Sequence, residues 1–322
     1  MNLMELKNVF KTQKIEKRTY WKMMREKCAL LMEYQKFLET FKDDIAICIL
    51  KDDVILNYRG INLAFDFSQS ICRAEGILNM GGNPEQEEFD FLFSCINPED
   101  TVLDIGANVG AVSLAINKEV PAVGNIFAFE PLLPTFKRLK HNLSLNDNPQ
   151  KIRAFNIGLS NEAGDFDFYL PGTDEAASMQ PNLDEYYMQE SVDGIYTGRK
   201  KLDKFTCKVD TLDAFVTANN ISKVDIIKID VEGNELNVLS GGVNVLLKYK
   251  PLIYTEMLRK HSARFGYTPN DIIEFMKKHK YKCFYFSNGI LKEFLEMTEN
   301  TTKTNFFFLH EERHAAMINK CI

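Results

Sequence analysis

Apolar positions recur in three patterns along the chain. From about Leu3 to Phe41, Trp21, Met24, Cys28, Leu31 and Leu38 fall on one helical face, interrupted by Gln35, and this spacing predicts an amphipathic helix. Such a helix either packs on its own domain or offers a face through which two copies could form a homodimer. Between Ile45 and Phe67 the short runs IAICIL, VILNY and INLAFDF are separated by charged and glycine-containing turns, which predicts strands. The polar stretch NMGGNPEQEEF, residues 79–89, marks the boundary. Residues 1–85 are therefore expected to form a helical and β extension, and 86–322 the main domain.

Beyond that boundary the pattern alternates. Strand-like runs VLDI (102–105), NIFAFE (125–130), IRAFNI (152–157), VDIIKID (224–230) and LIYTEM (252–257) are separated mostly by helical periodicity. This predicts an α/β fold, a doubly wound, mostly parallel sheet covered by helices. Two aromatic runs near the end, YKCFYF (281–286) and TNFFFLH (304–310), are expected as an antiparallel edge. The segment 171–201 has no clear core pattern and is long for a connection, as lids and mobile insertions are. Within it Ser178 and Tyr187 are candidates to face a substrate.

Composition narrows the partners. A net charge of −6 and pI near 5.6 disfavour a nucleic-acid surface, which must neutralise many phosphates, although residues 1–42 carry ten Lys or Arg against five Glu. Seven scattered cysteines without a CxxC pair fit reduced thiols and a cytoplasmic location. No stretch approaches the length of an apolar membrane span and no secretion signal is read. The sequons at Asn142, Asn220 and Asn300 are then attributed to chance.

The chemistry begins at VLDIGANVG, residues 102–110. A strand delivers Asp104 to its carboxyl end, Gly106 and Gly110 open a tight turn, and AVSLAI starts a helix. That is the layout of a nucleotide site in an open α/β sheet. In a dinucleotide fingerprint, glycines at the second and third positions admit the pyrophosphate and the packed helix; here those positions hold Asn108 and Ala111. S-adenosylmethionine, which has no phosphate, fits better. Glu130, 24 positions after Gly106 and followed by Pro131, can accept hydrogen bonds from both ribose hydroxyls, or act only as a helix-start carboxylate. The stretch Asn156 to Ser160, with Gly158, is placed at the adenine edge.

DIGANVG at 104–110, FEP at 129–131, KIDVEGNELNVLSGG at 228–242 and PLIYTE at 251–256 together resemble the FkbM family of methyltransferases over roughly residues 86–310. The resemblance implies a class I methyltransferase (Rossmann-like) fold and transfer to oxygen, often on sugars, surface glycans or secondary metabolites. By it, Asp104, Gly106, Asn108, Gly110 and Glu130 become cofactor residues, and Asp230, Glu232 and Gly233 the second family motif.

Methyl transfer to a hydroxyl needs in-line placement and removal of a proton, by a side chain or with help from a cation such as Mg²⁺. Asp230 and Glu256, at the ends of neighbouring strands, are candidates for catalysis and for metal ligation; Asp230 with Glu232 could equally cap the following helix. His261 is the best placed of five histidines for acid–base work, and a surface loop histidine is its bland alternative. His141 and His279 read as helix-surface positions. A nucleic-acid methyltransferase and a non-catalytic adenosyl-binding scaffold are the competing functions.

Overall fold

The computed structural model describes residues 45–50, 53–66, 73–79, 82–170, 177–181, 189–192, 195–199 and 203–319. The expected N-terminal helix with its Trp21 to Leu38 stripe, and Tyr187, lie outside the described residues. Two compact units are present. The first, within residues 45–86 and 141–147, holds an antiparallel sheet of β1 (Ile45–Leu50), β2 (Asp53–Tyr58) and β3 (Ile61–Ala64), followed by helix α1 (Arg73–Asn79). Its three strands are those the turn pattern predicts. Asn146 accepts from the Asn62 amide at 2.8 Å, and His141 Nε2 lies 2.9 Å from an Asp53 carboxylate oxygen.

The second unit, residues 87–140 and 148–322, carries the chemistry. In chain order it contains α2 (Gln86–Ser94), β4 (Thr101–Ile105), α3 (Ala111–Glu119), β5 (Asn125–Phe129), α4 (Leu133–Ser144), β6 (Ile152–Phe155), β7 (Gly158–Ser160) and β8 (Gly164–Leu170). After β9 (Gln189–Val192) and β10 (Ile195–Arg199) come β11 (Asp203–Thr211), α5 (Leu212–Ala218), β12 (Ile226–Ile229), α6 (Glu235–Ser240), α7 (Val243–Tyr249) and β13 (Leu252–Glu256). The chain closes with α8 (Arg259–Arg264), α9 (Pro269–Lys278), β14 (Tyr281–Ser287), β15 (Ile290–Glu293), β16 (Asn305–His310) and α10 (Ala315–Ile318).

Eight strands form one sheet in the order β15-β14-β16-β13-β12-β4-β5-β6. β6, β5, β4, β12 and β13 are mutually parallel, and β16 pairs antiparallel with both β13 and β14. This is the expected class I methyltransferase architecture, with one correction. The NFFFLH run is interior and β15 forms that edge. Phe306, Phe307 and Phe308 are fully buried, each contributing roughly 1.5–3 kcal/mol of burial. An unbroken apolar run marks a strand covered on both faces, as in β4 and β12, whose residues are all buried.

The strand order reverses between β4 and β12, the switch point at which such sheets open a crevice. A second sheet, β7-β11-β8, was not predicted. It packs Phe168, Cys207 and Val209 against Leu132. Part of the 171–201 segment is thereby structured: β9 pairs with β10, and Ser178 bridges to Tyr169 of β8. The described helices include none long and apolar enough to cross a membrane.

Candidate active site

The turn after β4 is built by its own amides. Gly106 and Ala107 N–H both donate to Phe129 O (3.1 and 2.8 Å), and Gly110 N–H donates to Ala107 O (2.8 Å). Asn108 N–H donates to a Glu130 carboxylate oxygen (3.1 Å), and Val109 N–H to the Asn108 side chain (2.7 Å). Five successive amides are thus turned inward. A phosphate cradle does the opposite, aiming its amides at the anion. The turn needs left-handed backbone at Gly106 (φ 77°), Asn108 (φ 50°) and Gly110 (φ 86°), which glycine and, less readily, asparagine supply. At Gly106 a Cβ would also lie 1.8 Å from the Asp230 carbonyl oxygen.

Glu130 follows β5 and is almost fully buried. One carboxyl oxygen accepts from Leu132 N–H at 2.9 Å and the other from Asn108 N–H. When it is ionised each oxygen keeps a lone pair, so the carboxylate can accept two further hydrogen bonds. Burial pushes its pKa up to about 8, against the lowering by these amides and by Lys228. Asn156 donates to the Glu130 and Pro131 carbonyls (2.9 and 2.8 Å) and so fixes this turn. Beside it lies a narrow cleft lined by Gly106, Pro131, Ile157, Gly158, Phe168 and Met179 among others. Its walls are mostly apolar, Asn234 excepted.

Asp104 lies elsewhere than expected. It is fully buried, accepts from Ser113 Oγ at 2.6 Å and pairs with Lys228 Nζ at 3.4 Å. Its carboxylate supports the turn from beneath. Lys228, buried in the middle of β12, donates to Gly106 O at 2.8 Å and lies 3.5 Å from Asp230. One ammonium ties β4, the glycine turn and the start of the 230–234 turn together.

Asp230 and Glu256 find different partners. Asp230 is drawn to Lys228, while Glu256 is grouped with Glu232 and His261, whose ligand atoms all lie within 4.8 Å of one another. His261 Nδ1 is 3.1 Å from a Glu232 oxygen, and the Arg264 guanidinium is 3.8 Å from the same oxygen. The Arg264 guanidinium supplies positive charge beside the two carboxylates and the imidazole of this triad. His261 is buried within α8, not in a surface loop. The helix-capping alternative for Asp230 and Glu232 fails as well. Asn234 is the N-cap of α6, its side chain making no capping hydrogen bond, and the amides of Val231 and Gly233 donate instead to Glu235 (3.3 and 3.0 Å).

The Methyltransferase FkbM domain profile matches residues 104–283, over half of the chain. The chain belongs to this family. Among relatives, the FkbM chain is 26% identical over 216 residues to the AMB antimetabolite synthetase AmbE of Pseudomonas aeruginosa, covering 61% of this chain and 10% of that protein. It is 27% identical to the hexuronic acid methyltransferase AglP of Haloferax volcanii (61% of this chain, 69% of that one). It is also 27% identical to the 2-O-methyltransferase NoeI of Sinorhizobium fredii (49% and 63%). The chain thus spans a tenth of AmbE and under two thirds of NoeI.

In the FkbM domain, Gly106, Pro131 and Gly158 line the pocket, and Asn108, Glu130 and Asn156 are joined by hydrogen bonds in the adjoining turns, the first of which Gly110 closes. Lys228, Glu235, Arg264 and Tyr267 were not singled out. For Lys228 a signal existed, a lone charge inside the apolar run IIKI, which is costly unless paired.

Proposed function

We propose that the domain transfers a methyl group from S-adenosylmethionine to a hydroxyl of a sugar, glycan or small metabolite. The observation that carries the donor assignment is the inward-turned amide set of residues 106–110, beside an acid with two open lone pairs and an apolar slot. These suit an adenosyl group without phosphate. Gly106, Pro131 and Gly158 would flank it, and Glu130 would accept from its ribose hydroxyls. When bound, the donor supplies an electrophilic methyl on a sulfonium, and the carbon–sulfur bonding pair leaves with sulfur as the acceptor oxygen bonds to carbon.

The residues of this chain handle the proton. The Glu232 carboxylate, 3.1 Å from His261 Nδ1, favours a proton on that nitrogen by its charge, which leaves the other ring nitrogen to take the hydroxyl proton. Glu256 adds negative charge that stabilises the imidazolium so formed. The acceptor class draws on the names of AglP and NoeI, a hexuronic acid methyltransferase and a 2-O-methyltransferase.

Calorimetry with S-adenosylhomocysteine tests the donor. Binding by the native chain, weakened at least tenfold by Glu130→Ala, is expected; no binding by the native chain refutes the assignment. Product release over a panel of uronic acids, neutral sugars and small alcohols, with His261→Asn as the inactive control, tests the acceptor.

A further inference from the structure

The turn that presents Glu232 to His261 is strained and must be held. Glu232 (φ 56°) and Gly233 (φ 104°) are both left-handed, and a non-glycine residue there is costly. A Cβ on Gly233 would meet the His261 carbonyl oxygen at 2.4 Å, so the turn is pressed directly onto α8.

Behind it lie two side chains without a role in the chemistry described above. Tyr267 OH is 2.6 Å from Gly233 O and 3.2 Å from Glu235 Oε2, and it accepts from Leu236 N–H at 3.3 Å. Glu235 Oε1 accepts from Val231 and Gly233 N–H. A phenol has one hydrogen and two lone pairs. The 2.6 Å contact with a carbonyl, which can only accept, requires that hydrogen. A hydrogen committed to the 2.6 Å contact leaves only a weak shared bond at 3.2 Å to Glu235, and that contact becomes a full hydrogen bond when the carboxyl carries a proton and donates it to the phenol oxygen.

We infer that Glu235 and Tyr267 are a positioning pair for the reaction, Glu235 acting as a neutral acid whose hydrogen, relayed by Tyr267 onto Gly233 O, locks the turn that sets Glu232 against His261. The Gly233 carbonyl, the Val231 and Gly233 amides and the phenol hydrogen are then all engaged. Burial of Glu235 and the nearby Asp230 charge, which hold its pKa up at about 7 against its backbone hydrogen bonds, agree with this hydrogen count. The inference rests on the proposed pairing of Glu232 with His261 as the base.

The test follows the His261 imidazole by nitrogen-15 NMR titration in the full chain, with no donor or acceptor present. Glu232→Gln is expected to lower the His261 pKa by about one unit or more, the loss of a neighbouring carboxylate. Glu235→Ala and Tyr267→Phe should shift it the same way. Glu235→Gln, whose amide can donate to Tyr267 while its oxygen accepts from the two amides, should titrate as the native chain does. Because Glu235→Ala could fail to fold, Tyr267→Phe and an infrared difference spectrum at pH 6 stand beside it. A protonated-carboxyl band lost in Glu235→Gln is expected. An unmoved His261 pKa in Tyr267→Phe, or no such band, overturns the inference. An unmoved pKa in Glu232→Gln removes the base assignment and the positioning role with it, leaving the donor site to be judged by calorimetry.

Discussion

Glu130 should show opposing demands of stability and binding. Its carboxyl is raised from an ordinary 4.5 to about 8 by burial, so between those values the folded chain holds a proton that the unfolded chain has released. Stability then falls as pH rises through that window and levels off above about 8. At about 1.4 kcal/mol per pH unit the interval corresponds to roughly 5 kcal/mol. Glu130→Gln, neutral at every pH, escapes this loss. Urea denaturation of both proteins at pH 5 and pH 9 isolates the effect, because other titrating groups cancel in the difference. The variant should gain several kcal/mol on the native chain between the two pH values. Binding should run the other way, since ribose hydroxyls donate best to an ionised carboxylate. Native affinity for S-adenosylhomocysteine should rise up to tenfold per pH unit from 6 to 8, with proton release seen in buffers of different ionisation heat, and the variant should bind weakly with a flat profile. A native-minus-variant stability difference independent of pH would refute the reasoning.

Two further substitutions probe the scaffold under the site. Lys228→Met strands the buried Asp104 charge and should cost about 3–5 kcal/mol. Adding Asp104→Asn should restore much of that in denaturant unfolding, and equal losses in the single and double variants would refute the pairing. Gly106→Ala and Gly266→Ala share nearly the same backbone angle (φ 77° and 79°), but only Gly106 meets a backbone atom, at 1.8 Å, while Gly266 has open space. Gly266→Ala should cost about 1–2 kcal/mol. Gly106→Ala should cost well beyond that, and equal melting temperatures for the two would contradict the close approach to Asp230.

The glycine turn after β4 was legible because its geometry is enforced by residue type. Left-handed backbone at three of five positions leaves little choice but Gly and Asn, and the spacing to Glu130 follows from one helix and one strand. The strands of the parallel sheet were legible as continuous apolar runs. The position of β16 was not, because chain order does not reveal that the last strand inserts between two earlier ones; its unalternating FFFL was the available sign of burial on both faces. β8 and β11 did carry a period of two, in Phe166 and Phe168 and in Phe205, Cys207 and Val209, weakened by the charged residues between them.

The acidic residues were the hardest to assign, and for a common reason. Asp104, Asp230, Glu232 and Glu235 all cluster at strand ends or on the turn that follows, where open sheets bind ligands, so position alone makes each a candidate. What separates them is the partner each side chain finds through the fold. Asp104 and Asp230 are claimed by Lys228 from the middle of β12, Glu235 by two amides and Tyr267, and Glu232 by His261 and Arg264. Backbone sign decides between Glu232 and Asp230. The left-handed step at Glu232 turns its carboxylate toward α8, while the residue two places earlier stays beside the strand. A motif read as DVEG therefore contains one residue paired to the sheet, one paired to His261 and a glycine that lets them part, and the Glu that follows two positions later accepts from two amides of the turn.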